Sequence, residues 1–246
     1  MQYQLIPGTV DCHIFDKSDS NGFYKRSVNN DLLTNQLVQQ NFEAVKSKLK
    51  VSSIFTMTQT HSSDVVVVDQ NNLLQPINAD AAVTTEKNLA LSILTADCVP
   101  VLLASQNAEV IGAMHCGWKG ARQNIIKNTA AKMRALQSSP LAPIWAFIGP
   151  SIKQKSYEVD SNFYHNFLDE SLINGQFFIN SDKTNHYMFD LVSYVSYKLE
   201  QENIQIKQIS SDDTYAMPNK YPSFRRSTHT REIYNSNILS TIHISS

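Results

Sequence analysis

The first long pattern in the chain is an apolar stripe with helical spacing. This spacing predicts an amphipathic helix, because residues three and four positions apart share one helix face. Asn30 or Asp31 stands where the N-terminal cap of that helix would be. We expect the helix to serve the core rather than the chemistry. Its stripe consists of Leu33, Leu37, Val38, Phe42, Val45 and Leu49.

Short runs rich in β-branched and apolar residues follow the helix. They cover residues 51–56, 65–68, 89–94, 99–103, 110–114 and 144–148, and they predict strands of one sheet. The run Val99-Pro100-Val101-Leu102-Leu103 has no polar alternation, which is typical of a strand covered on both faces. Helices over residues 121–136, 161–172 and 189–201 would supply that cover. The pattern therefore favours an α/β/α sandwich.

The C-terminal part of the chain has a different texture. From about residue 212 it is polar and rich in turn residues, until a short β-like end over residues 238–244. The sequence contains no internal repeat and no low-complexity linker. We therefore expect a single domain over residues 1–246.

Composition narrows the classes of partner. The chain has 246 residues, 42% of them apolar, a formal net charge of -1 and only 21 Lys plus Arg. With no dense basic run, neither a nucleic acid nor a membrane surface is an expected partner, and a small molecule is. The N-terminus lacks a secretory signal and no segment reaches the roughly 20 apolar residues of a membrane span, which favours a cytoplasmic protein. Three cysteines in such a compartment favour free thiols or ligands over disulfides.

Cys98 is the first residue with a chemical signal. It stands between two apolar runs and two residues before Pro100, so we expect its thiol at a bend between strands. A free cysteine alone is more often a small buried apolar residue. Asp97 changes that balance, because a carboxylate in an apolar run needs a partner, either the N–H of a metal-bound imidazole or a backbone group. We therefore interpret Cys98 as a ligand.

His115 carries the second signal. It ends an apolar run and precedes Gly117 and Gly120, which allow tight turns before the following helix, so the imidazole should face the end of the sheet. Lys119 and the start of the helix could hold an anion such as phosphate. Cys116 is expected to be structural, because adjacent strand residues point to opposite faces.

His61 lies in a polar turn and completes a set of two imidazoles and one thiol. Such nitrogen and sulfur donors bind Zn²⁺ with a fourth position open to water, as in catalytic zinc sites. A second interpretation uses the same residues without metal, with Cys98 as nucleophile, His115 as base and Asp97 or another polar group as the orienting group of a hydrolase. A third class, a binding partner without catalysis, is disfavoured by the convergence of Cys, His and Asp.

Five segments of the chain resemble, in order, the motifs of the YfiH-like family, whose members are labelled multicopper polyphenol oxidase, laccase-domain protein or purine nucleoside phosphorylase. The resemblance is specific over residues 55–160 and looser towards both ends. It implies an α+β fold, a single-domain three-layer sandwich with a mixed β-sheet. The segments are Gln59-Thr60-His61, Ala79-Asp80-Ala81, Thr95-Ala96-Asp97-Cys98-Val99-Pro100-Val101-Leu102-Leu103, His115-Cys116-Gly117-Trp118-Lys119-Gly120 and Ile148-Gly149-Pro150-Ser151-Ile152.

The resemblance also implies a site and a function. Its zinc ligands carry over to His61, Cys98 and His115, and its reactions are phosphorolysis of adenosine, inosine, guanosine and methylthioadenosine and hydrolytic deamination of adenosine. Asp97 or Asp80 could shuttle protons during deamination. Substrate contacts are expected from Asn29, Lys119, Arg225 and Arg226, the two arginines as candidates for holding phosphate. A related implication is editing of peptidoglycan precursors by amide cleavage.

Two departures from the family pattern, and the number and spacing of the histidines, limit these expectations. The family's N-terminal Gly-Gly-Val-Ser segment is missing from residues 15–21, and Asp213 replaces the cysteine of its Cys-Thr pair before Thr214. Both changes leave the expected metal ligands intact. Copper is possible at that site, but a laccase needs several coppers and many imidazoles, often in His-x-His pairs, whereas this chain has seven histidines and no such pair.

Overall fold

The structure is a computed structural model that describes residues 1–19, 32–231 and 236–245, with side chains 32–35 left out. Asn29 and the expected caps Asn30 and Asp31 lie outside the described residues. In the described ranges the strands are β1 (Gln2–Ile6), β2 (Val10–Phe15), β3 (Ser53–Phe55), β4 (Val65–Val67), β5 (Ala81–Thr84), β6 (Leu89–Thr95), β7 (Val99–Ser105), β8 (Ile111–Cys116), β9 (Ile144–Ile148), β10 (Glu158–Asp160), β11 (Phe178–Asn180), β12 (His186–Phe189), β13 (Ile204–Ile209) and β14 (Ile238–Ile244).

Helices flank these strands. They are α1 (Leu32–Leu49), α2 (Trp118–Arg122), α3 (Ile125–Leu136), α4 (Ser161–Leu168), α5 (Leu191–Gln201) and α6 (Phe224–Thr230), with 3₁₀ turns at Gln154–Ser156 and Leu172–Phe177. None of the helices in the described ranges combines the length and the apolar character that crossing a bilayer requires.

The strands form two large mixed sheets and one small one. The first large sheet has the order β1-β2-β14-β6-β3, in which only the β3–β6 pair is parallel. The second has the order β13-β9-β7-β8-β5-β4, with parallel pairs at both of its edges. A small antiparallel sheet, β10-β12-β11, lies beside them.

The two large sheets pack face to face. Leu91 of β6, Leu102 of β7 and Ile242 of β14 belong to one apolar core between them. Val101 and Leu103 of β7 point the other way, into a core shared with α3 and α5. Helix α1 covers the outer face of the first sheet. The uninterrupted apolar run of β7 is therefore explained by a second sheet on one face and helices on the other.

The α+β class and the mixed strand pairing are confirmed by this architecture. The expected single sheet between two helical layers is replaced by two sheets between helices, because the runs at β6 and β7 belong to different sheets. The helix expected over residues 121–136 is broken at Asn124, whose φ of 69° is left-handed. The helix expected over residues 161–172 ends as an α-helix at Leu168.

Two further boundaries follow from local chemistry. The helix expected over residues 189–201 begins after Phe189, which belongs to β12, because the Asp190 side chain accepts a hydrogen bond from the Ser193 N–H and caps α5. The β-like end over residues 238–244 is β14, which lies between β2 and β6 in the first sheet.

A buried histidine pair on the first sheet should make stability depend on acid. His13 and His243 are buried with ring centroids 5.8 Å apart. Burial lowers the pKa of both, that of His13 to about 4, with further repulsion of the charged form by His243, Lys48 and the N-terminal amine and partial relief from Asp11. The unfolded chain, with histidine near pKa 6.5, then binds more protons than the folded chain between pH 6.5 and 4.

We therefore expect the free energy of unfolding to fall as pH drops from 6.5 to 4.5, with His13 contributing on the order of 1–3 kcal/mol. Urea unfolding of the wild type and of His13→Gln at both pH values measures this. The variant should lose less stability than the wild type over that interval. An equal loss in the two proteins would assign the acid sensitivity to other groups.

Candidate metal centre

Three side chains that are far apart in sequence meet at one end of the second sheet. The ligand atoms of His61, Cys98 and His115 all lie within 4.8 Å of one another. The Cys98 Sγ is 3.9 Å from His61 Nε2, and the two imidazole rings meet edge to face with centroids 4.8 Å apart. His61 is exposed, Cys98 half-buried and His115 buried, so the cluster opens to solvent on the His61 side.

The fold brings each of the three residues to this place for a local reason. Cys98 lies in the connection from β6 to β7, where the chain crosses from the first large sheet to the second, as the expected bend requires. His115 is the penultimate residue of β8 and pairs with Pro100 at the start of β7. His61 has a left-handed φ of 60° in the loop between β3 and β4.

Gly117 makes room for this convergence. A Cβ atom on this residue would lie 3.0 Å from His61 Cδ2 and 3.1 Å from the Cys98 Sγ. A side chain there would therefore press between two of the three candidate ligands.

Asp80 holds two of the three candidate ligands in place. Its fully buried carboxylate accepts hydrogen bonds from the backbone N–H groups of Thr60, His61 and Ser62, at 3.0, 3.0 and 2.7 Å. It also lies 2.7 Å from His115 Nδ1. Burial raises the pKa of Asp80, but these hydrogen bonds and the charge of His115 outweigh it and hold the pKa well below its usual range. One carboxylate thus fixes the loop of one candidate ligand and the ring of another.

The Asp80 contact decides which nitrogen of His115 is available. Because Nδ1 donates its proton to the carboxylate, Nε2 is the nitrogen that faces the thiol and can bind a metal. Burial alone would lower the pKa of His115, but the Cys98 thiolate and Asp80 raise it to about 9. Burial raises the pKa of Cys98, yet the two imidazoles lower it to about 6. The ion-pair form of the site is therefore favoured at neutral pH.

Asp97 does not face the imidazoles. Its Oδ1 accepts a hydrogen bond from Thr214 Oγ1 at 2.7 Å, and its Oδ2 accepts from Ser223 Oγ at 2.9 Å and from the Arg225 N–H at 2.7 Å. The carboxylate beside Cys98 is thus bound by the C-terminal part of the chain. Of the two partners expected for Asp97, the structure shows the backbone group, the Arg225 N–H, and the acceptor of the imidazole is Asp80.

The two arginines expected to hold phosphate are placed differently. Arg226 donates to the backbone carbonyls of Thr214, Tyr215 and Tyr221, at 2.8, 2.8 and 2.6 Å, so its guanidinium fastens the chain segment around it. Arg225 donates to the Glu158 carbonyl and lies over the Tyr157 ring, 5.0 Å from its centroid. In the described part of the chain, the Arg225 side chain thus donates to fewer backbone carbonyls than that of Arg226.

The remaining expected residues have plain positions. Lys119 is exposed at the start of α2, with its ammonium 5.6 Å from the centroid of the Trp118 ring. Cys116 is buried in the core, where burial raises its thiol pKa, in keeping with the structural role expected for it. Asn29 is outside the described residues.

The donors at this centre suit a soft or borderline metal ion. Two imidazole nitrogens and one thiolate leave a coordination position open, and the acceptor behind His115 is of the kind that commonly supports a metal-bound imidazole. Among the described residues, this group alone brings together three or more His, Cys, Asp or Glu side chains that could hold one metal ion. The geometry fits a single ion rather than a copper cluster.

Comparison with known proteins places the chain in a family. A family model described as multi-copper polyphenol oxidoreductase laccase matches residues 24–235. The chain belongs to this family. The YfiH-like resemblance is confirmed, since a solved structure titled as the hypothetical protein YfiH of Bacillus licheniformis matches with a TM-score of 0.79 and 25% identity, over 96% of this chain and 93% of that one.

A curated relative and a second solved structure extend the comparison. A purine nucleoside phosphorylase of Rickettsia conorii is 42% identical over 238 residues, which are 97% of this chain and 98% of the relative. A solved structure from Neisseria meningitidis shares the fold at a TM-score of 0.80 and 22% identity, covering 99% and 98% of the two chains. The relatives named as phosphorylases and the copper-based family name thus describe proteins of one fold.

Proposed function

We propose that this chain is a zinc-dependent purine nucleoside enzyme. Its reactions would be phosphorolysis of adenosine, inosine, guanosine and methylthioadenosine, and hydrolytic deamination of adenosine. The observation that carries the proposal is the meeting of His61, Cys98 and His115 within 4.8 Å. The 42% identity to a protein named purine nucleoside phosphorylase, over nearly the whole of both chains, supports the substrate class.

Zinc is the proposed ion because two imidazoles and a thiolate match its preferences and leave one position open. His61, Cys98 and His115 would hold it, the last through Nε2. Bound there, zinc would supply Lewis acidity that acidifies water and polarises the substrate. The copper of the family name remains possible at the same donors, but one three-ligand site is not a laccase cluster.

Anion binding is the second requirement of phosphorolysis. A phosphate oxygen must bond to the anomeric carbon of the sugar as the bond from that carbon to the purine nitrogen breaks, giving the sugar 1-phosphate and free purine, whose ring nitrogen takes up the proton that hydrogen phosphate loses. Arg225 and Lys119 are the proposed cationic contacts, because the Arg225 backbone is fixed to Asp97 beside the ligand Cys98 and Lys119 follows Gly117 at the cluster. Arg226 would hold in place the chain segment that carries Arg225.

Purine recognition is proposed for Arg225 and the neighbouring Tyr157. Tyr157 is half-buried, and the Arg225 guanidinium lies over its ring. Aromatic faces and guanidinium planes both stack with nucleobases.

The direct test incubates the purified protein with adenosine, with and without phosphate, and follows adenine, inosine and hypoxanthine by chromatography. We expect adenine that forms only with phosphate and inosine that forms without it. Cys98→Ala should abolish both products, which excludes a contaminating enzyme. No turnover of adenosine, inosine, guanosine or methylthioadenosine under either condition would contradict the proposal.

A second candidate is a metal-free Cys–His hydrolase acting on amide bonds, for example in peptidoglycan precursors. The lowered pKa of Cys98 and its 3.9 Å approach to His61 favour it, because a thiolate beside an imidazole is a nucleophile. Zinc bound through the same sulfur would remove much of that reactivity. The two candidates therefore differ in what a chelator does to the enzyme.

A further inference from the structure

The backbone next to the Cys98 thiol is strained. Asp97 has φ of 96°, beyond the left-handed region of about 50–70° that non-glycine residues tolerate. Such backbone persists only where the surrounding structure holds it in place. Asp97 is buried, and its backbone carbonyl accepts a hydrogen bond from the Ile152 N–H at 3.0 Å.

The side chain of Asp97 supplies the remaining restraint. Both of its oxygens bind one stretch of chain, residues 213–226, which we call the C-terminal strap. The three donors are the hydroxyls of Thr214 and Ser223 and the N–H of Arg225, all within 2.9 Å. The strap thereby clamps a residue whose conformation sets where the next side chain, Cys98, points.

We propose that Asp97 is a positioning residue, which directs the Cys98 thiol at the two imidazoles and couples docking of the strap to assembly of the metal centre. The carboxylate contacts donors of the strap and not the candidate ligands, so it acts through the backbone of Cys98. This inference rests on the metal-binding part of the proposed function and is independent of the nucleoside chemistry.

The coupling has a mechanical consequence for the site. The strap carries Arg225, the proposed phosphate contact, and Asp97 ties that same segment to the thiol. A strap released from Asp97 would therefore misplace an anion contact and a metal ligand together. Through the buried carboxylate of Asp97, the strap and the metal centre would form together.

The chain contains a matched control for this idea. Asp213 is also buried and also anchors the strap, since its Oδ1 accepts from the Tyr215 N–H at 3.0 Å and its Oδ2 from Ser156 Oγ at 2.7 Å. It is not a sequence neighbour of any candidate ligand. Asp213→Asn should loosen the strap without redirecting Cys98, whereas Asp97→Asn should do both.

The experiment compares metal binding by the wild type, Asp97→Asn and Asp213→Asn. Zinc dissociation constants are measured by competition with a chromophoric chelator, and Co²⁺ is added to record the thiolate-to-cobalt charge-transfer band. We expect Asp97→Asn to bind zinc at least about 10-fold more weakly, the usual effect of losing a supporting group around a metal site, and to lose most of the band. Asp213→Asn should bind zinc with close to wild-type affinity, because Asp213 supports no candidate ligand.

If Asp97→Asn does not fold, Thr214→Val replaces it, because this change removes one of the three restraints and should give a smaller shift in the same direction. Wild-type zinc affinity and an intact band in a folded Asp97→Asn would overturn the proposal. Equal losses in Asp97→Asn and Asp213→Asn would overturn it too, because general loosening of the strap would then suffice. None of these readouts uses a nucleoside, so failure of the proposed activity would be seen separately.

Discussion

Asp80→Ala is expected to give the largest loss of stability of any single substitution at the metal centre. The change leaves the N–H groups of Thr60, His61 and Ser62 and the His115 Nδ1 proton without their acceptor. Removing one partner of a buried charged pair costs about 3–5 kcal/mol. We expect a loss of that size in the free energy of unfolding from urea titration, together with zinc affinity weakened about 10- to 100-fold.

Asp64→Ala is the control for this prediction. Asp64 follows the same loop and carries an exposed carboxylate, so its replacement should change stability by less than about 0.5 kcal/mol. Asp80→Asn should recover part of the stability, because an amide oxygen can still accept some of the hydrogen bonds. Zinc affinity that is unaltered in a folded Asp80→Ala would show that the carboxylate does not support the ligands.

The elements that the sequence predicted well are those with a strong local pattern. The strand over residues 144–148 and the end over 238–244 were predicted with the observed bounds, because the first is a short apolar run and the second is rich in β-branched residues after a polar, turn-rich stretch. The pairing of strands was harder to predict. Nothing local in the runs at β6 and β7 states that one belongs to each sheet, since burial on both faces looks the same under a helix and under a sheet.

The candidate site shows the same division between local and long-range information. The three candidate ligands were predicted from their motifs, and their convergence in the structure agrees with that prediction. The roles of the two carboxylates were not separable from sequence. Asp97 is adjacent to Cys98 and so attracted the supporting role, while Asp80, 35 residues before His115, occupies it. The apolar neighbours of Asp80 were the available signal, because a lone carboxylate between alanines must be bound by something.

The contacts of the strap could not be predicted from the sequence either, because they join distant parts of the chain. The hydrogen bonds of Asp97 to Thr214, Ser223 and Arg225 span 117, 126 and 128 positions of sequence. Contacts of that range depend on the completed fold and have no periodic pattern. The replacement of the family's cysteine by Asp213 was visible, but its partners Ser156 and Tyr215 were not.

Cys98→Asp and Cys98→Ala, taken together, are expected to separate a ligand from a nucleophile. An aspartate can still offer zinc an oxygen, so Cys98→Asp should bind about one zinc ion with reduced affinity and keep roughly 1–10% of the adenosine turnover. Cys98→Ala offers no donor and should lose at least about 1,000-fold in turnover. Zinc content is measured by elemental analysis, and turnover by the chromatographic assay.

Removal of the metal distinguishes a ligand role of Cys98 from a nucleophilic one. If Cys98 is a ligand, a chelator should abolish turnover in the wild type, and added zinc should restore it in the wild type and in Cys98→Asp but not in Cys98→Ala. A nucleophilic thiol predicts the opposite pattern: the metal-free wild type stays active on its substrate, while both variants are equally inactive. The thiolate favoured by the two imidazoles serves either chemistry in the free protein. The response of activity to the chelator therefore decides which of the two the centre performs.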